Sequence, residues 1–214
     1  MRAITKVRII PLLAICAAAA SIARAESSVS ELWAKSLAAE TDGDYVYALK
    51  HHKQVLSLGE KSYAANLRAG WLFYMNADYQ TAVGCYENAS KLSSGAVNPL
   101  LGRMNCHAAL GETSQAVKAA KAVLVIDERN YSANLKLAAI YYQEKEFSLA
   151  AAYYRKLNRL YPADLAVASG LAWSFLEQGE ARRAAPLFKQ ILIVSPDYAY
   201  AARGLSICER IASR

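Results

Sequence analysis

The sequence predicts an all-α fold of five helix-turn-helix units followed by one closing helix, and three observations predict it. Similar residues recur every 34 positions without a gap. Within each unit the apolar residues are spaced three and four apart, which is the spacing of a helical face and not of a strand. Glycine or proline interrupts that spacing where a turn is needed.

The period is clearest in three columns of small or aliphatic residues. One column reads Ala48, Ala82, Ala116, Ala150 and Ala184. A second column, seven residues later, reads Val55, Ala89, Val123, Leu157 and Ile191. A third reads Leu58, Leu92, Ile126, Leu160 and Val194. Several unbroken columns with one period indicate a repeat architecture, in which each unit buries its apolar face against its neighbours.

Two helices fit in each unit. Gly43, Gly111 and Gly179 recur between them, at a turn where a residue that tolerates positive φ is favoured. Pro162 and Pro196 follow the second helices of the last two units, where proline cannot continue a helix. Each unit is therefore predicted to be an antiparallel helix pair.

Small and aromatic columns explain how the two helices pack. Small residues allow close approach at the crossing, and they are Gly70, Ala138 and Ala172 on first helices, opposite the alanine column on second helices. Aromatic columns fill the space beside the crossing, with Phe73, Tyr141 and Phe175 on first helices and Tyr86, Tyr154 and Phe188 on second helices.

The 34-residue pattern resembles the tetratricopeptide repeat, and the segments "GDYVYAL", "ADYQTAV", "KEFSLAA" and "GEARRAA" match the opening of its second helix. The resemblance implies a right-handed superhelical solenoid with repeats at about 29–62, 63–96, 97–130, 131–164 and 165–198, and a capping helix at 199–214. Three positions depart from the family pattern: Ala39 replaces an aromatic residue, Met104 a small one, and Lys145 the turn glycine.

The three histidines favour packing over chemistry. His52 belongs to the column of Tyr86, and His107 to the column of Phe73. His51 is rotated about 100° from His52 on a helix, so the adjacent pair does not converge on one ion. The sequence has no phosphate-binding glycine loop, metalloprotease histidine pair or nucleophile elbow. We therefore predict no enzyme activity, no cofactor and no metal; the alternative is a metal-binding enzyme accessory or weak enzyme using His51 and His52.

The resemblance also implies a binding surface, because first helices line the concave groove in this family. The residues it places there as partner-binding candidates are Leu67, Trp71, Tyr74, Met75, Asn105, Tyr142, Trp173 and Leu176. Asn105 alone remains of the basic and asparagine pattern with which chaperone-binding members hold a C-terminal carboxylate. We expect a protein or peptide partner that presents apolar side chains. The alternative is that these residues pack within the superhelix or against the chain's own N-terminal segment.

Basic residues of the second helices, such as Arg155, Arg159, Arg182 and Arg183, are predicted to form a solvated convex face. A docking face for an acidic protein or a membrane surface is the alternative. No nucleic-acid partner is predicted, because the charge is modest and spread in both signs.

The N-terminus predicts export. Three basic residues precede an uncharged run, and Ala23-Arg24-Ala25 supplies a cleavage site, so residues 1–25 are predicted to be a signal peptide that is cut before Glu26. An uncleaved membrane anchor is the alternative. Removing this segment takes away four basic residues and no acidic one, so the net charge falls from +7 to +3.

The cysteine content is compatible with export but is not evidence for it. Cys85, Cys106 and Cys208 remain after cleavage, an odd number. Buried thiols are the favoured interpretation of all three, and a bridge between Cys85 and Cys106 is the alternative.

These observations together predict a non-catalytic protein-interaction scaffold of a bacterial envelope, acting within an assembly or secretion system. The periplasm is the expected location, with secretion or a cell-surface location as alternatives, and the sequence leaves the oligomeric state open.

Overall fold

The structure, a computed structural model, describes residues 28–213, and the predicted signal peptide lies outside this range. All regular elements of the described range are α-helices, as the sequence predicts. The chain divides into two compact units, one up to Ser93 and one from Ser94 onward. Within the described range, none of the helices has the length and apolar character needed to cross a membrane.

The helices follow the predicted period. The N-terminal unit holds α1 (28–41), α2 (Tyr45–Ser57), α3 (Tyr63–Met75) and α4 (Tyr79–Leu92). The C-terminal unit holds α5 (Val97–Ala109), α6 (Thr113–Ile126), α7 (Tyr131–Gln143), α8 (Phe147–Leu160), α9 (Leu165–Glu177), α10 (Ala181–Val194) and α11 (Ala199–Ala212). Helices α2, α4, α6, α8 and α10 begin 34 residues apart, and so do α3, α5, α7, α9 and α11. The prediction of an all-α helical-repeat solenoid is confirmed.

The turn between the two helices of each repeat has one geometry throughout the described chain. The turn residue has positive φ in every repeat: Gly43 77°, Ala77 59°, Gly111 73°, Lys145 62° and Gly179 78°. The N–H of Lys145 donates to the carbonyl of Tyr142 (3.1 Å), and the N–H of Glu146 donates to that of Tyr141 (2.8 Å). This hydrogen-bonded termination satisfies the last carbonyls of the first helix. Lysine therefore keeps the turn that glycine makes in other repeats.

Acidic residues start the second helices. The Asp44 carboxylate accepts from the N–H of Tyr47 at 2.9 Å, and the Asp78 carboxylate accepts from that of Thr81 at 3.2 Å. Each bond satisfies a backbone donor that the first turn of a helix leaves without a partner. Turn and cap together fix where α2 and α4 begin, whereas the glutamates that precede α6, α8 and α10 make no side-chain cap.

The small columns are buried at the helix crossings. All five residues of the alanine column are 0 % exposed. A Cβ added to Gly70 would lie 2.7 Å from the ring of Tyr86, so a side chain there would displace the tyrosine. Met104, which replaces a small residue, is 1 % exposed and packs in the core with Ala120 and Leu137. This departure from the family pattern is absorbed by a flexible apolar side chain.

Candidate partner-binding site

The structure places the histidines in packed positions. His52 is fully buried, its Nε2 donates to the Ala65 carbonyl at 2.9 Å, and its ring meets that of Trp33 edge to face at 4.7 Å. Burial lowers the pKa of His52 below its ordinary value, which favours the neutral ring. His51 packs against Tyr47, with ring centroids 4.4 Å apart.

His107 makes a different contact, in the C-terminal unit. Its Nδ1 lies 2.6 Å from a carboxylate oxygen of Glu112, the residue that follows the turn glycine of the same repeat. Over residues 28–213 the structure contains no cluster of three histidine, cysteine or acidic side chains with the geometry of a metal site.

In the N-terminal unit, α3 carries the partner-binding candidates Leu67, Trp71, Tyr74 and Met75. Trp71 is partly buried and meets the ring of Tyr45 edge to face at 5.4 Å. Tyr74 packs on a tyrosine of α4, with ring centroids 5.3 Å apart, and Met75 is 39 % exposed. These side chains share one helix.

An ion pair covers the indole of Trp71. The Cζ atom of Arg68 lies 4.9 Å from the centre of the Trp71 ring. Arg68 Nε donates to Glu40 Oε1 at 2.8 Å, a second guanidinium nitrogen contacts Oε2, and the Glu40 side chain is only 6 % exposed. The guanidinium is thus held over the ring by two carboxylate contacts. The chain's own side chains already occupy the space beside Trp71.

In the C-terminal unit, Tyr142 and Trp173 line one cavity of about 340 Å³. Tyr154 and Tyr200 complete its aromatic walls, and Ser169, Gly170 and Arg203 complete its lining. We call this space the aromatic cavity. Of the two remaining candidates, Asn105 is half-buried on α5, whereas Leu176 is 8 % exposed and belongs to the core.

The 34-residue register explains why the cavity is open. Trp173 lies three repeats after Trp71, and at the same spacing Gly170 corresponds to Arg68 and Tyr142 to Glu40. The ion pair that covers Trp71 therefore has no counterpart beside Trp173. A Cβ at Gly170 would lie 2.5 Å from the ring of Tyr154, so glycine allows that ring to reach the cavity wall.

The aromatic cavity carries one positive charge and several neutral donors. Arg203 is the one charged residue of the lining, and it has no ion-pair or hydrogen-bond partner among the described residues. Burial raises the pKa of Tyr142 and of Tyr154, so both phenols remain protonated at neutral pH. The site can therefore donate hydrogen bonds to an acceptor from a guanidinium and from phenolic hydroxyls.

Sequence reasoning missed Ser169, Gly170, Tyr200 and Arg203, and it assigned Tyr154 to packing alone. For Tyr200 and Arg203, the repeat register itself was the signal. α11 continues the register of first helices, so Gly204 falls in the column of Gly170 and Arg203 in that of Ser169. The capping helix is thus also a wall of the cavity.

Most basic residues of the second helices are exposed, among them Arg159, Arg182 and Arg183, and several also stack on aromatic rings. The Arg155 and Arg183 guanidinium carbons lie 5.5 and 3.8 Å from the centre of the Phe175 ring. Lys121 Nζ lies 6.0 Å from the Tyr141 ring, and Lys53 Nζ lies 5.1 Å from that of Phe73. These cations stack on the aromatic column of first helices, because long basic side chains cover apolar surface with their stems.

Solved structures with the same architecture share little sequence with this chain. A tetratricopeptide repeat protein from Parabacteroides merdae has 19% identity and a TM-score of 0.74, covering 87% of this chain and 74% of its own. MamA from Desulfovibrio magneticus has 15% identity and a TM-score of 0.72, covering 80% and 97%. YrrB, described as a TPR protein with an unusual peptide-binding site, has 13% identity and a TM-score of 0.66, covering 78% and 87%.

Sequence comparison points to one family. No curated protein matches the chain significantly. The family profile of the tetratricopeptide repeat matches residues 105–164 and 169–214. Proteins of this family generally act as interaction scaffolds without catalysis, through protein or peptide contacts. From the 34-residue register, the helix pairs and this match, the chain belongs to the tetratricopeptide repeat family.

Proposed function

We propose that this chain is a non-catalytic scaffold of the bacterial envelope, which binds a partner protein through the first helices of its repeats within an assembly or secretion system. The observation that carries the proposal is the aromatic cavity, to which the first helices α7, α9 and α11 all contribute.

Rings held on rigid helices are suited to binding. A large side chain with few torsions supplies contact area at a small entropic cost, and for this reason tryptophan and tyrosine are common at the centres of interfaces. Trp173 is partly buried and lies edge to face against Phe188 at 5.5 Å, so its position is fixed before any partner arrives. The peptide-binding site of YrrB, a protein of the same fold, supports a peptide segment as ligand.

Export is the second part of the proposal, and the sequence of residues 1–25 supports it. Expression in a bacterium followed by intact-mass measurement tests it. We expect the protein in the periplasmic fraction to begin at Glu26. A full-length chain that sediments with membranes would contradict cleavage and favour an anchor.

Partner binding is tested with the immobilised chain from Glu26 onward and a bacterial envelope extract. We expect proteins that the wild type retains to be lost from Trp173→Ala but not from Arg182→Ala, which changes an exposed residue of α10. Circular dichroism of each variant checks folding. A partner whose retention requires Arg182 and not Trp173 would contradict this site.

A further inference from the structure

We propose that the aromatic cavity binds an acidic side chain of an internal partner segment, with Arg203 receiving the carboxylate and the rings holding a neighbouring apolar side chain. The inference rests on the proposed function, since it specifies the ligand of the same site.

The N-terminal unit builds such an arrangement from its own residues. Beside Trp71, the side-chain carboxylate of Glu40 is paired in two-pronged fashion with Arg68 and is nearly inaccessible to solvent. The same register in the C-terminal unit gives an indole at Trp173 but no carboxylate, because tyrosine replaces the glutamate. A guanidinium is again present, this time from the neighbouring helix α11. The C-terminal unit therefore has the indole and the guanidinium but lacks the carboxylate, which a partner can supply.

The charge of the site selects the sign of the ligand. Arg203 is the one ionised group in the lining, so the cavity disfavours lysine and arginine side chains despite its four aromatic rings. A carboxylate is the anion that a planar guanidinium binds with two parallel hydrogen bonds.

The geometry of α11 places the apolar and charged parts of the ligand side by side. Tyr200 and Arg203 are three residues apart on this helix, and side chains at that spacing share a face. Tyr200 is 68 % exposed, so its ring is accessible to a ligand. A segment that carries an apolar residue next to a glutamate or aspartate meets both groups at once.

The cavity volume is consistent with a ligand that inserts only a few side chains. A cavity of about 340 Å³ is at the lower end of the range of ligand pockets. It accommodates a few side chains of a segment whose backbone lies outside. We therefore assign recognition to a short acidic and apolar motif, not to a long buried peptide.

The test uses random 12-residue peptides displayed on phage, fused so that their C-termini are blocked, against the chain from Glu26 onward. We expect enrichment of an acidic residue beside an aromatic or aliphatic one. Selected sequences are then made as amidated, fluorescein-labelled peptides with glutamate, or with glutamine at the same place, and affinities are measured by anisotropy. A second library with free C-termini tests the other source of a carboxylate.

Wild type should bind the glutamate peptide about tenfold or more tightly than the glutamine peptide. Arg203→Gln should abolish that preference, whereas Arg210→Gln, on the same helix but outside the lining, should keep it. Arg203→Glu should reverse the preference towards a peptide with lysine in place of the glutamate. Because Arg203 is exposed, these changes are expected to leave folding intact.

Several results would overturn the inference. They are a failure to enrich any peptide, enrichment from the free C-terminal library alone, equal affinity for glutamate and glutamine, or a preference that survives Arg203→Gln. If peptides bind in a Trp173-dependent way without the acidic preference, this inference fails and the proposed partner-binding role stands. If binding is also unchanged in Trp173→Ala, both fail.

Discussion

Lys145 adopts the left-handed turn conformation of Gly111, with φ of 62° and 73° at positions 34 residues apart. The lysine is exposed, and its backbone N–H makes the same helix-ending hydrogen bond as the glycine makes. The repeat therefore imposes a backbone shape on a residue that ordinarily avoids it.

Relieving that strain should stabilise the protein. Lys145→Gly removes the steric cost of positive φ, and we expect the free energy of unfolding to rise by about 0.5 to 1 kcal/mol after the added freedom of the unfolded chain is subtracted. Denaturant titration measures it. Lys118→Gly, in the exposed interior of α6, is the control and should lower stability by about 1 kcal/mol. Equal losses in both variants would mean that the turn does not strain the lysine.

Ala150 tests the helix crossing. It is 0 % exposed, so Ala150→Leu should overpack the contact between first and second helices and cost about 1 to 3 kcal/mol. The neighbouring substitution Leu149→Ala changes a side chain that is 45 % exposed, and it should shift stability by about 0.5 kcal/mol or less. Thermal unfolding that is unchanged in Ala150→Leu would refute the packing assigned to the alanine column.

His52 should make stability depend on pH. Because burial lowers its pKa in the folded protein, the unfolded chain takes up the proton first as pH falls below about 6.5. The contribution of the neutral histidine is therefore present above that pH and lost as the pH decreases towards the lower folded pKa.

We expect His52→Phe, which places in the column the ring that Phe188 supplies elsewhere, to lose less stability than wild type between about pH 7.5 and about pH 5.5. Denaturant unfolding at the two pH values gives the comparison. An identical loss in both proteins would show that His52 does not carry this dependence.

Arg155 and Phe175 should be energetically coupled. Their contact predicts a coupling of about 0.5 to 1 kcal/mol in a double-mutant cycle of Arg155→Ala and Phe175→Leu. The same cycle with Arg182, which is exposed, should give a coupling near zero. Coupling that is equal for the two arginines would indicate a general charge effect and no stacking.

The sequence predicts the fold well because the repeat period is visible as similar residues at a fixed spacing. It can be recognised without knowing which residues are in contact. Burial is harder to read from the same columns. Leu58 and Val194 are as regular as the alanines, yet they are 51 % and 66 % exposed because they lie at the ends of second helices. Periodicity reports equivalence between repeats, and it does not report which equivalent positions face the core.

The candidate site was only half predictable for a related reason. Family resemblance places Trp71 and Trp173 in one column, so sequence alone treats them as equals. What separates them is the pair Arg68 and Glu40, whose members come from different helices and meet only in the folded chain. Arg203 was not predicted as a site residue because the terminal capping helix was expected to close the array and not to bind a partner.

The central claim, that partners bind at the aromatic cavity, is tested most directly by the affinity of one selected partner or peptide for Trp173→Ala. We predict a loss of about 2 kcal/mol or more, roughly thirtyfold in affinity, with a smaller loss for Trp71→Ala because Arg68 covers that ring. Circular dichroism and thermal unfolding of the same samples exclude a folding defect. An affinity that is unchanged in both tryptophan variants but collapses in Arg155→Ala, Arg159→Ala and Arg182→Ala would contradict the claim and place the interface on the second helices.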